Sequence, residues 1–393
     1  MKKLIYAILG IFLMVACADD HLEDIPTPPK GETNGKVRVK ISVQVPEAKT
    51  AASRSFSVPA ITTLHLAVFD ANGYLSEVVP ATRDDGETGL GTADEPIEFT
   101  VDLSQTPSKR IIHFLANKTI DATQFGTEGD LIGALYTEGT DDAYWQRVEF
   151  PDGINYSWED KNNNNTLDDG ETIIGNTIGD KLTKVPLIRN FAKITVQKAQ
   201  GMTTSGNVGF TLEGFTVVNV PDCGSVAPFN TNGGGFAQYL DSDKTPYDYS
   251  TLTTTTASHK GYTGFVPNEA EINSEIGTFL NHDGVFYTYE RNNQSKNANR
   301  TFVIVKGRFG AEATSYYKID LTYTNEGSNR TEYYEILRNF HYNIVITNVE
   351  ASGANSPEEA AAMTGSHNNL SAATETQSLL NISAAVTVSV LQP

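Results

Sequence analysis

The densest group of potential metal ligands in this sequence is residues 160–171, where oxygen-bearing side chains recur at short intervals. Ca²⁺ takes about six to eight oxygen ligands, and a glutamate at the twelfth position of a calcium loop binds with both carboxylate oxygens. Asn165 stands where such loops carry glycine, and asparagine tolerates the left-handed backbone needed there. The side chains at ligand spacing are Asp160, Asn162, Asn164, Thr166, Asp168 and Glu171.

The calcium interpretation has an alternative, a polar asparagine-rich surface turn. The flanking residues 154–159 and 172–179 lack the pattern of paired EF-hand helices. Two of the side-chain ligands, Asn162 and Asn164, are neutral amides, which weaken calcium binding. Calcium is therefore a candidate ligand, no cofactor is required, and neither interpretation implies catalysis.

Motifs typical of enzymes are missing from the sequence. It contains no Gly-x-Ser-x-Gly, no His-Glu-x-x-His, no P-loop and no dinucleotide-binding glycine motif. The seven histidines are scattered, and His65 and His113 fall in predicted strands, where a structural role is the more common one. Carboxylates are too numerous for a glycosidase pair to be chosen among them. We assign no catalytic residue and expect a protein that is not an enzyme.

Two tryptophans near the candidate loop, Trp145 and Trp158, leave a choice between two roles. Exposed aromatic rings can stack on sugars, whereas packing in a core is the more frequent fate of such side chains. Core packing is favoured, and a glycan-binding surface lipoprotein that uses these tryptophans is the alternative function.

The first sixteen residues have the pattern of an export signal peptide. Lys2 and Lys3 precede a short apolar run that ends in small residues before Cys17. The segment LMVAC fits a lipobox, with Met14 where leucine is usual. In such a signal the cysteine is acylated, for example with palmitate, and becomes a membrane anchor. Residues 17–35 are polar and proline-rich, which indicates a lipidated flexible tether.

The net charge limits the kinds of molecule that the protein binds, and the number of cysteines limits how its fold is stabilised. The 393-residue chain has a formal net charge of −19, and loss of residues 1–16 would make it −21. This acidic balance argues against nucleic acid and anionic membrane surfaces as partners. Cys223 is the only other cysteine in the sequence, so with Cys17 acylated a hydrophobic core must hold the fold.

Strand patterns dominate the remaining sequence. Val37, Val39, Ile41, Val43 and Val45 alternate with polar residues, which is the period-two pattern of a strand with one buried face. Further strands are predicted at residues 64–68, 97–103, 111–115, 185–198, 208–220, 301–309, 316–323, 333–339, 342–349 and 382–390.

Helical patterns are short and few. They are expected only near residues 131–135 and 357–363, the second with Ser356 as its N-cap. Short strands separated by Gly, Asn and Pro turns predict a mainly all-β fold of two tandem β-sandwich domains. We place these domains at residues 36–200 and 201–393, the second ending in a strand at 380–391.

Several segments, in this order, resemble the fimbrillin superfamily of Bacteroidia, the FimA/Mfa-type lipoprotein subunits of type V pili. They are LHLAVFDANG (64–73), IIHFLAN (111–117), PLIRNFAKITV (186–196), TFVIVKG (301–307), YYKIDL (316–321) and LRNFHYNIVI (337–346). Residues 18–20, directly after Cys17, resemble the export signal of surface lipoproteins in these bacteria. The resemblance implies a stalk or tip subunit of a fimbrium at the outer membrane surface, with a role in cell adhesion.

The resemblance also implies how such a subunit assembles. A trypsin-like protease cuts in the loop after the first strand, that strand leaves with its lipid, and a C-terminal strand of a neighbouring subunit fills the groove. Arg54 is the preferred cut site and Lys49 the second, although Arg54 could equally be an ordinary solvated arginine. The donor strand could equally be a closing strand of its own domain. Its alternating residues are Ile382, Ala384, Val386, Val388 and Val390.

The strand to be released carries five aliphatic side chains, Val37 to Val45. Their burial is worth ~1.5–3 kcal/mol each, on the order of ten kcal/mol together. A vacated groove with unpaired backbone groups would bind an extended strand strongly, by β-augmentation. The expected partners are therefore other pilus subunits, with a host or bacterial surface molecule as the ligand for adhesion.

Overall fold

The computed structural model describes residues 35–44, 61–83, 96–138, 142–162, 170–227, 272–291, 293, 299–325, 330–334, 336, 338–363 and 382–390. Within these ranges the chain forms 24 strands, two α-helices and three short 3-10 helices. None of the described helices is long and apolar enough to cross a membrane.

The strands, in chain order, are β1 (Lys36–Gln44), β2 (Leu64–Asp70), β3 (Leu75–Arg83), β4 (Ile97–Ser104), β5 (Arg110–Ala116), β6 (Tyr136–Glu138), β7 (Tyr144–Phe150), β8 (Tyr156–Trp158), β9 (Ile173–Asn176), β10 (Val185–Pro186), β11 (Ile188–Arg189), β12 (Phe191–Thr204), β13 (Phe210–Val218), β14 (Val220–Pro221), β15 (Cys223–Ser225), β16 (Ile272–Asn273), β17 (Leu280–Asn281), β18 (Phe286–Tyr289), β19 (Phe302–Phe309), β20 (Thr314–Asp320), β21 (Thr322–Asn325), β22 (Arg330–Tyr333), β23 (Phe340–Val349) and β24 (Ile382–Val390). The helices are α1 (Glu128–Ala134) and α2 (Pro357–Ala362), and the 3-10 helices are Ala122–Gln124, Gly179–Leu182 and Ser205–Asn207.

The first part of the chain forms an eight-stranded sheet in the order β10-β1-β4-β3-β2-β5-β7-β11. Only two residue pairs, Thr82–Thr100 and Arg83–Phe99, join β3 to β4, so the sheet divides into two halves at this point. Both halves contribute to one core, which contains Phe99 from β4 and Phe114 from β5. This arrangement of two packed sheet halves is that of a β-sandwich.

Another hydrophobic cluster lies on the opposite face of the β2-β5-β7 half. It contains Phe69, Leu115 and Trp145 from these strands together with Leu131 of α1. The helix therefore covers a sheet face that would otherwise expose aromatic and aliphatic side chains to water.

The second part of the chain contains two four-stranded sheets, β18-β12-β23-β24 and β17-β13-β19-β20. Strands from both of these sheets supply one common core, the second core. It contains, for example, Ile194 and Ile344 from the sheet of β12 and Phe215 and Val305 from the sheet of β13. The predicted class, a mainly β fold of sandwich type with few short helices, is confirmed.

The division between the two cores lies near residue 190 rather than at the predicted boundary of 200. Residue 200 falls inside β12, and Ala192, Ile194 and Val196 of that strand belong to the second core. Ile188, just before it, belongs to the cluster of Phe69 and Trp145, which Val226 and Ala227 join from the second part of the chain. The residues around 200 therefore do not separate two strands but form the more exposed end of a single long one.

The sequence Arg-Asn-Phe occurs at the junction, at residues 189–191, and again at residues 338–340. Hydrogen bonds join the two segments. The backbone N–H of Asn339 donates to the carbonyl of Phe191 at 2.8 Å, and the backbone N–H of Arg189 donates to Asn339 Oδ1 at 3.2 Å. Asn339 has a left-handed φ of 61°, which asparagine adopts more readily than most residues.

Two predicted elements differ in detail from the structure. The run at 185–198 is three strands with three different partners: β10 pairs with β1, β11 with β7 and β12 with β23. The strand predicted at 333–339 is displaced, because β22 covers Arg330–Tyr333 and Ile336 forms only an isolated bridge with Arg291. The α2 prediction is confirmed, with the Ser356 side chain accepting from the Glu359 N–H at 3.1 Å.

Candidate strand-exchange site

β1 is bound mainly to one neighbour. It pairs with β4 in antiparallel register over eight residue pairs, from Lys36–Ser104 to Val43–Ile97. On its other edge, the described pairing is with β10 alone, in parallel, through Val43 and Gln44. Loss of β1 would therefore expose the edge of β4 along its whole length.

The inward face of β1 is buried, as its alternating pattern predicts. Val37, Val39, Ile41 and Val43 are each at most 5% exposed, and all four belong to the first core. Four such side chains contribute about 1.5–3 kcal/mol each, or on the order of ten kcal/mol together. Val45, the fifth predicted residue, lies outside the described ranges.

The end of β1 is held by two further contacts from the segment around β10. The backbone N–H of Leu187 donates to the Gln44 carbonyl at 2.9 Å, and the Lys184 N–H donates to Ser42 Oγ at 2.7 Å. These contacts concern only the last three residues of the strand. The remainder of β1 depends on β4 and on its buried side chains.

The outward face of β1 is basic, a feature that we did not interpret from the sequence. Lys36 Nζ lies 3.2 Å from a Glu77 carboxylate oxygen, and Lys40 Nζ lies 3.1 Å from one of Glu98. Arg38 donates from Nε and Nη2 to the two carboxylate oxygens of Asp102, at 2.8 and 2.9 Å. In the sequence these charges stand in two alternating segments, KVRVK (36–40) and EFTVD (98–102), whose pairing only the structure shows.

The pair of Arg38 and Asp102 shifts the pKa values of both its members. The hydrogen bond from Arg38 lowers the pKa of Asp102, and its partner's carboxylate raises the pKa of Arg38. Both side chains of this pair are well exposed, at 71% and 43%, so water and salt screen the attraction.

Glu77 of β3 contacts β4 through its side chain, at a point where the two strands are not paired. Its carboxylate accepts from the Ser104 N–H at 2.9 Å and from Ser104 Oγ at 3.0 Å, in addition to Lys36. Beside it is a cleft of about 520 Å³. The cleft is lined by Lys36, Arg38, Val79, Pro80, Thr82, Arg83, Thr100, Val101 and Asp102. Because β1 supplies part of this lining, the cleft belongs to the same site.

The predicted donor strand, β24, lies in its own second domain. It pairs antiparallel with β23 from Phe340–Val390 to Val349–Ile382 and forms the edge of that sheet. Ala384 and Val386 are buried in the second core. This position is the closing-strand alternative considered above, and donation to a neighbour remains a prediction.

The predicted lipidation site and cut sites, Cys17, Lys49 and Arg54, lie outside the described residues, as do residues 1–34 and 45–60 as a whole. In the sequence both cut sites fall between β1 and β2. A cut at either one would separate β1 from the rest of the chain.

Only the ends of the predicted calcium loop are described. The loop connects β8 to β9, which form an antiparallel hairpin and not paired helices. Glu171 Oε1 accepts from the Lys161 N–H at 2.8 Å. The last position of the loop, Glu171, therefore contacts the residue that follows its first position, Asp160. Asn164, Thr166 and Asp168 fall in the undescribed stretch 163–169. In the described part of the chain no group of three or more His, Cys, Asp or Glu is arranged to hold a metal ion.

Both tryptophans are buried, Trp145 completely and Trp158 at 4% exposure. The Trp145 indole N–H donates to His113 Nδ1 at 3.0 Å. Core packing is thus confirmed, and neither ring is available to stack on a sugar. The glycan-binding alternative loses the residues on which it depended.

His113 is part of a buried polar network on the α1 face of the first sheet. Its Nε2 lies 2.9 Å from Glu128 Oε1, which also accepts from Arg147 Nε at 2.6 Å. Burial lowers the pKa of His113, and the indole donation requires an unprotonated Nδ1, so the ring is neutral with its proton on Nε2. Although burial acts in the opposite direction, the hydrogen bonds from His113 and Arg147 lower the pKa of Glu128 to about 2.

Arg338 from the LRNFHYNIVI segment is also fully buried. It forms a two-pronged pair with Glu290 through Nε at 2.6 Å and Nη2 at 2.5 Å, and its Nη1 donates to the Val226 carbonyl. Arg189 of the earlier segment forms an ion pair with Asp142 and stacks over the Tyr287 ring. The arginines of both segments are therefore structural residues beside the domain junction.

Several solved structures are similar to this chain over nearly its whole length. A proposed cell adhesion protein from Parabacteroides distasonis aligns with a TM-score of 0.50 at 12% identity, over 91% of this chain and 98% of that one. A second proposed cell adhesion protein of that species gives 0.48 at 16% identity, over 91% and 100%. The fimbrilin FimA of Porphyromonas gingivalis gives 0.45 at 16% identity, over 92% and 99%.

No protein-family model matches the sequence, and no curated protein matches it either. The similarity is thus one of fold across nearly the whole chain, at low sequence identity. At that level the resemblance inferred from the sequence is confirmed.

Proposed function

We propose that this chain is a structural, non-enzymatic subunit, stalk or tip, of a type V-like pilus at the bacterial surface, where it takes part in cell adhesion. It assembles by strand exchange with other pilus subunits. One observation carries the proposal: β1 is a first strand with a buried apolar face that depends mainly on one neighbour, β4. Such a strand can be exchanged as a unit, because its removal leaves an unpaired sheet edge and an apolar groove of matching length.

The lipid would act in delivery. In this proposal Cys17 is acylated and carries the chain to the outer membrane, and a protease then cuts at Arg54 or Lys49. β1 departs with the lipid, and the freed edge of β4 accepts a strand from a neighbouring subunit. β24 would leave its own domain to fill a groove elsewhere.

The test is limited trypsin treatment of the chain that lacks residues 1–16. We expect mass spectrometry to find cleavage after Arg54 or Lys49. Size-exclusion chromatography at high protein concentration should then give a released β1 fragment and larger assemblies. Persistent binding of the β1 fragment after cleavage, with only monomers at every concentration, would contradict strand exchange.

Two control variants separate the steps. Lys49→Gln combined with Arg54→Gln should stay uncut in the loop and monomeric, because both trypsin sites are gone. A chain that ends at residue 381 should be cut normally but not assemble with itself, because it has no donor strand. Assembly of the truncated chain would show that β24 is not the donor.

A further inference from the structure

We infer that the groove left by β1 selects a donor strand in which apolar residues alternate with lysine or arginine. Such a strand would be favoured over residues 382–390 of a second copy of this chain, which can still fill the groove when no basic strand competes for it. The inference rests on the proposed function, since it concerns the strand that replaces β1.

The first observation is the charge distribution around β1. Three successive outward positions of the strand, Lys36, Arg38 and Lys40, are basic and each lies within 3.2 Å of a carboxylate. The carboxylates belong to strands that stay behind, Glu98 and Asp102 on β4 and Glu77 on β3. Departure of β1 therefore removes three positive charges and leaves three negative charges along one rim of the groove, the acidic rim.

The other basic side chain of the adjacent cleft does not replace those of β1. Arg83 belongs to β3 and donates from Nη1 to the Ile61 carbonyl at 2.9 Å. Lys36 and Arg38, the remaining basic residues of the cleft lining, leave with β1. The acidic rim is thus complemented mainly by whatever strand occupies the groove.

The second observation is the composition of the chain's own C-terminal strand. Residues 382–390, ISAAVTVSV, contain no ionisable side chain. The positions between its apolar residues are Ser383, Ala385, Thr387 and Ser389. A second copy of this chain would fill the apolar floor of the groove but would leave the acidic rim without counter-charges.

The size of this preference follows from the exposure of the pairs. An ion pair on a protein surface changes an equilibrium by roughly a factor of two to five. Three pairs should therefore favour a basic donor by on the order of tenfold at low ionic strength, and by much less when salt screens them. Apolar burial still supplies most of the affinity, so the charges decide between donors and do not drive the exchange.

The experiment measures binding of labelled synthetic peptides to the trypsin-processed chain by fluorescence anisotropy. One peptide is residues 36–46, and a second has the changes Lys36→Ser, Arg38→Thr and Lys40→Ser with the apolar residues kept. A third peptide is residues 380–391, and a fourth adds Ser383→Lys, Ala385→Lys and Thr387→Lys to it. Each is measured at about 20 mM and about 500 mM NaCl, where the Debye length differs several-fold.

We expect both basic peptides to bind about tenfold more tightly than their neutral counterparts at low salt, and about twofold at high salt. A processed chain with Glu98→Gln and Asp102→Asn should lose most of this difference, while its binding of the neutral peptides stays the same. The thermal unfolding of the uncut variant checks that it folds.

The outcomes separate the two hypotheses. Equal binding of basic and neutral peptides at both salt concentrations, or tighter binding of residues 380–391, would overturn the charge selection and leave strand exchange standing. If none of the four peptides binds, strand exchange fails and the charge selection fails with it.

Discussion

At the residue scale, the buried network around His113 gives each of its charged side chains an oppositely charged or hydrogen-bonding partner. Glu128 accepts from His113 and Arg147, and Arg147 also reaches Glu149 at 2.7 Å, which in turn pairs with Lys109. Removal of one member of such a chain leaves a neighbour buried without its partner, which costs more than the net value of the contact.

This network predicts a loss of stability in acid. The pKa of Glu128 is lowered from 4.5 to about 2 in the folded protein, so its stabilising effect is present above pH 4.5 and is lost as the pH falls towards 2. After a discount for partial exposure, Glu128 should account for about 2 kcal/mol of that loss. Urea denaturation at a series of pH values, read by tryptophan fluorescence, measures it.

The matched variant is Glu128→Gln, which cannot titrate. It should be less stable than the parent at pH 7 by about 1–3 kcal/mol, because Arg147 loses a charged partner. Between pH 5 and pH 2.5 the variant should lose about 2 kcal/mol less of its free energy of unfolding than the parent does, because it lacks the titrating carboxyl group. Identical acid profiles for the two proteins would exclude Glu128 as the titrating group.

A second prediction at this scale concerns the loop that joins β8 to β9. If residues 160–171 bind calcium, isothermal titration calorimetry should detect heat at millimolar or lower Ca²⁺, the range of weak extracellular sites. Asp160→Ala with Glu171→Ala should abolish it, because the first and twelfth ligands are removed. Lys161→Ala is the matched control, since Lys161 contacts the loop through its backbone and side chain but is not a ligand. Absence of heat in the parent chain identifies the stretch as a polar turn.

At the element scale, β1 concentrates stability on one of its two faces. Ile41→Ala should destabilise the first domain by about 2–5 kcal/mol, because it removes a fully buried side chain from the core. Lys40→Ala, one position away, should cost less than about 1 kcal/mol, because its ion pair is exposed. Both tryptophans lie in the first domain, so fluorescence-detected urea denaturation reports on it. Equal effects of the two changes would mean that β1 is not packed as described.

The sequence predicted strands that bury one face, but it did not predict which neighbouring strand each of them pairs with. β1 and β4 alternate strictly, and each has one strand face in the core. The run at 185–198 was predicted as one strand, yet the chain changes its pairing partner twice within ten residues there. Periodicity reports which side of a strand is buried, whereas it carries no information on which sheet the strand joins.

The same limit applies to the candidate site. The apolar residues of the strand to be released could be read from their period of two, and the described ones are buried. The acidic rim could not be read in this way, because Glu77, Glu98 and Asp102 are three of 48 acidic residues in the sequence. Only the fold brings them within 3.2 Å of Lys36, Arg38 and Lys40. Of the three pairs, only Arg38 and Asp102 stand directly opposite each other in the register of β1 on β4.

At the scale of the whole molecule, the two cores should unfold separately to a measurable degree. The two side chains of β24 whose burial is described, Ala384 and Val386, both belong to the second core. A chain that ends at residue 381 should therefore lose about 1–3 kcal/mol from the second domain. Calorimetry should show one transition shifted down, while the tryptophan-detected transition of the first domain stays in place. A shift of both transitions by the same amount would indicate a single cooperative unit.

The passage from β11 to β12 has a mechanical consequence. Asn190 alone separates the last strand of the first sheet from the first strand of the second domain, and the backbone contacts of Asn339 tie the two segments across that point. Tension applied to one domain would thus pass into the other through a single bent residue held by hydrogen bonds, without a slack linker to take up the strain. A fibre of such units would bend at the joints between subunits and resist bending within them, so its stiffness would be set by how tightly each exchanged strand is held.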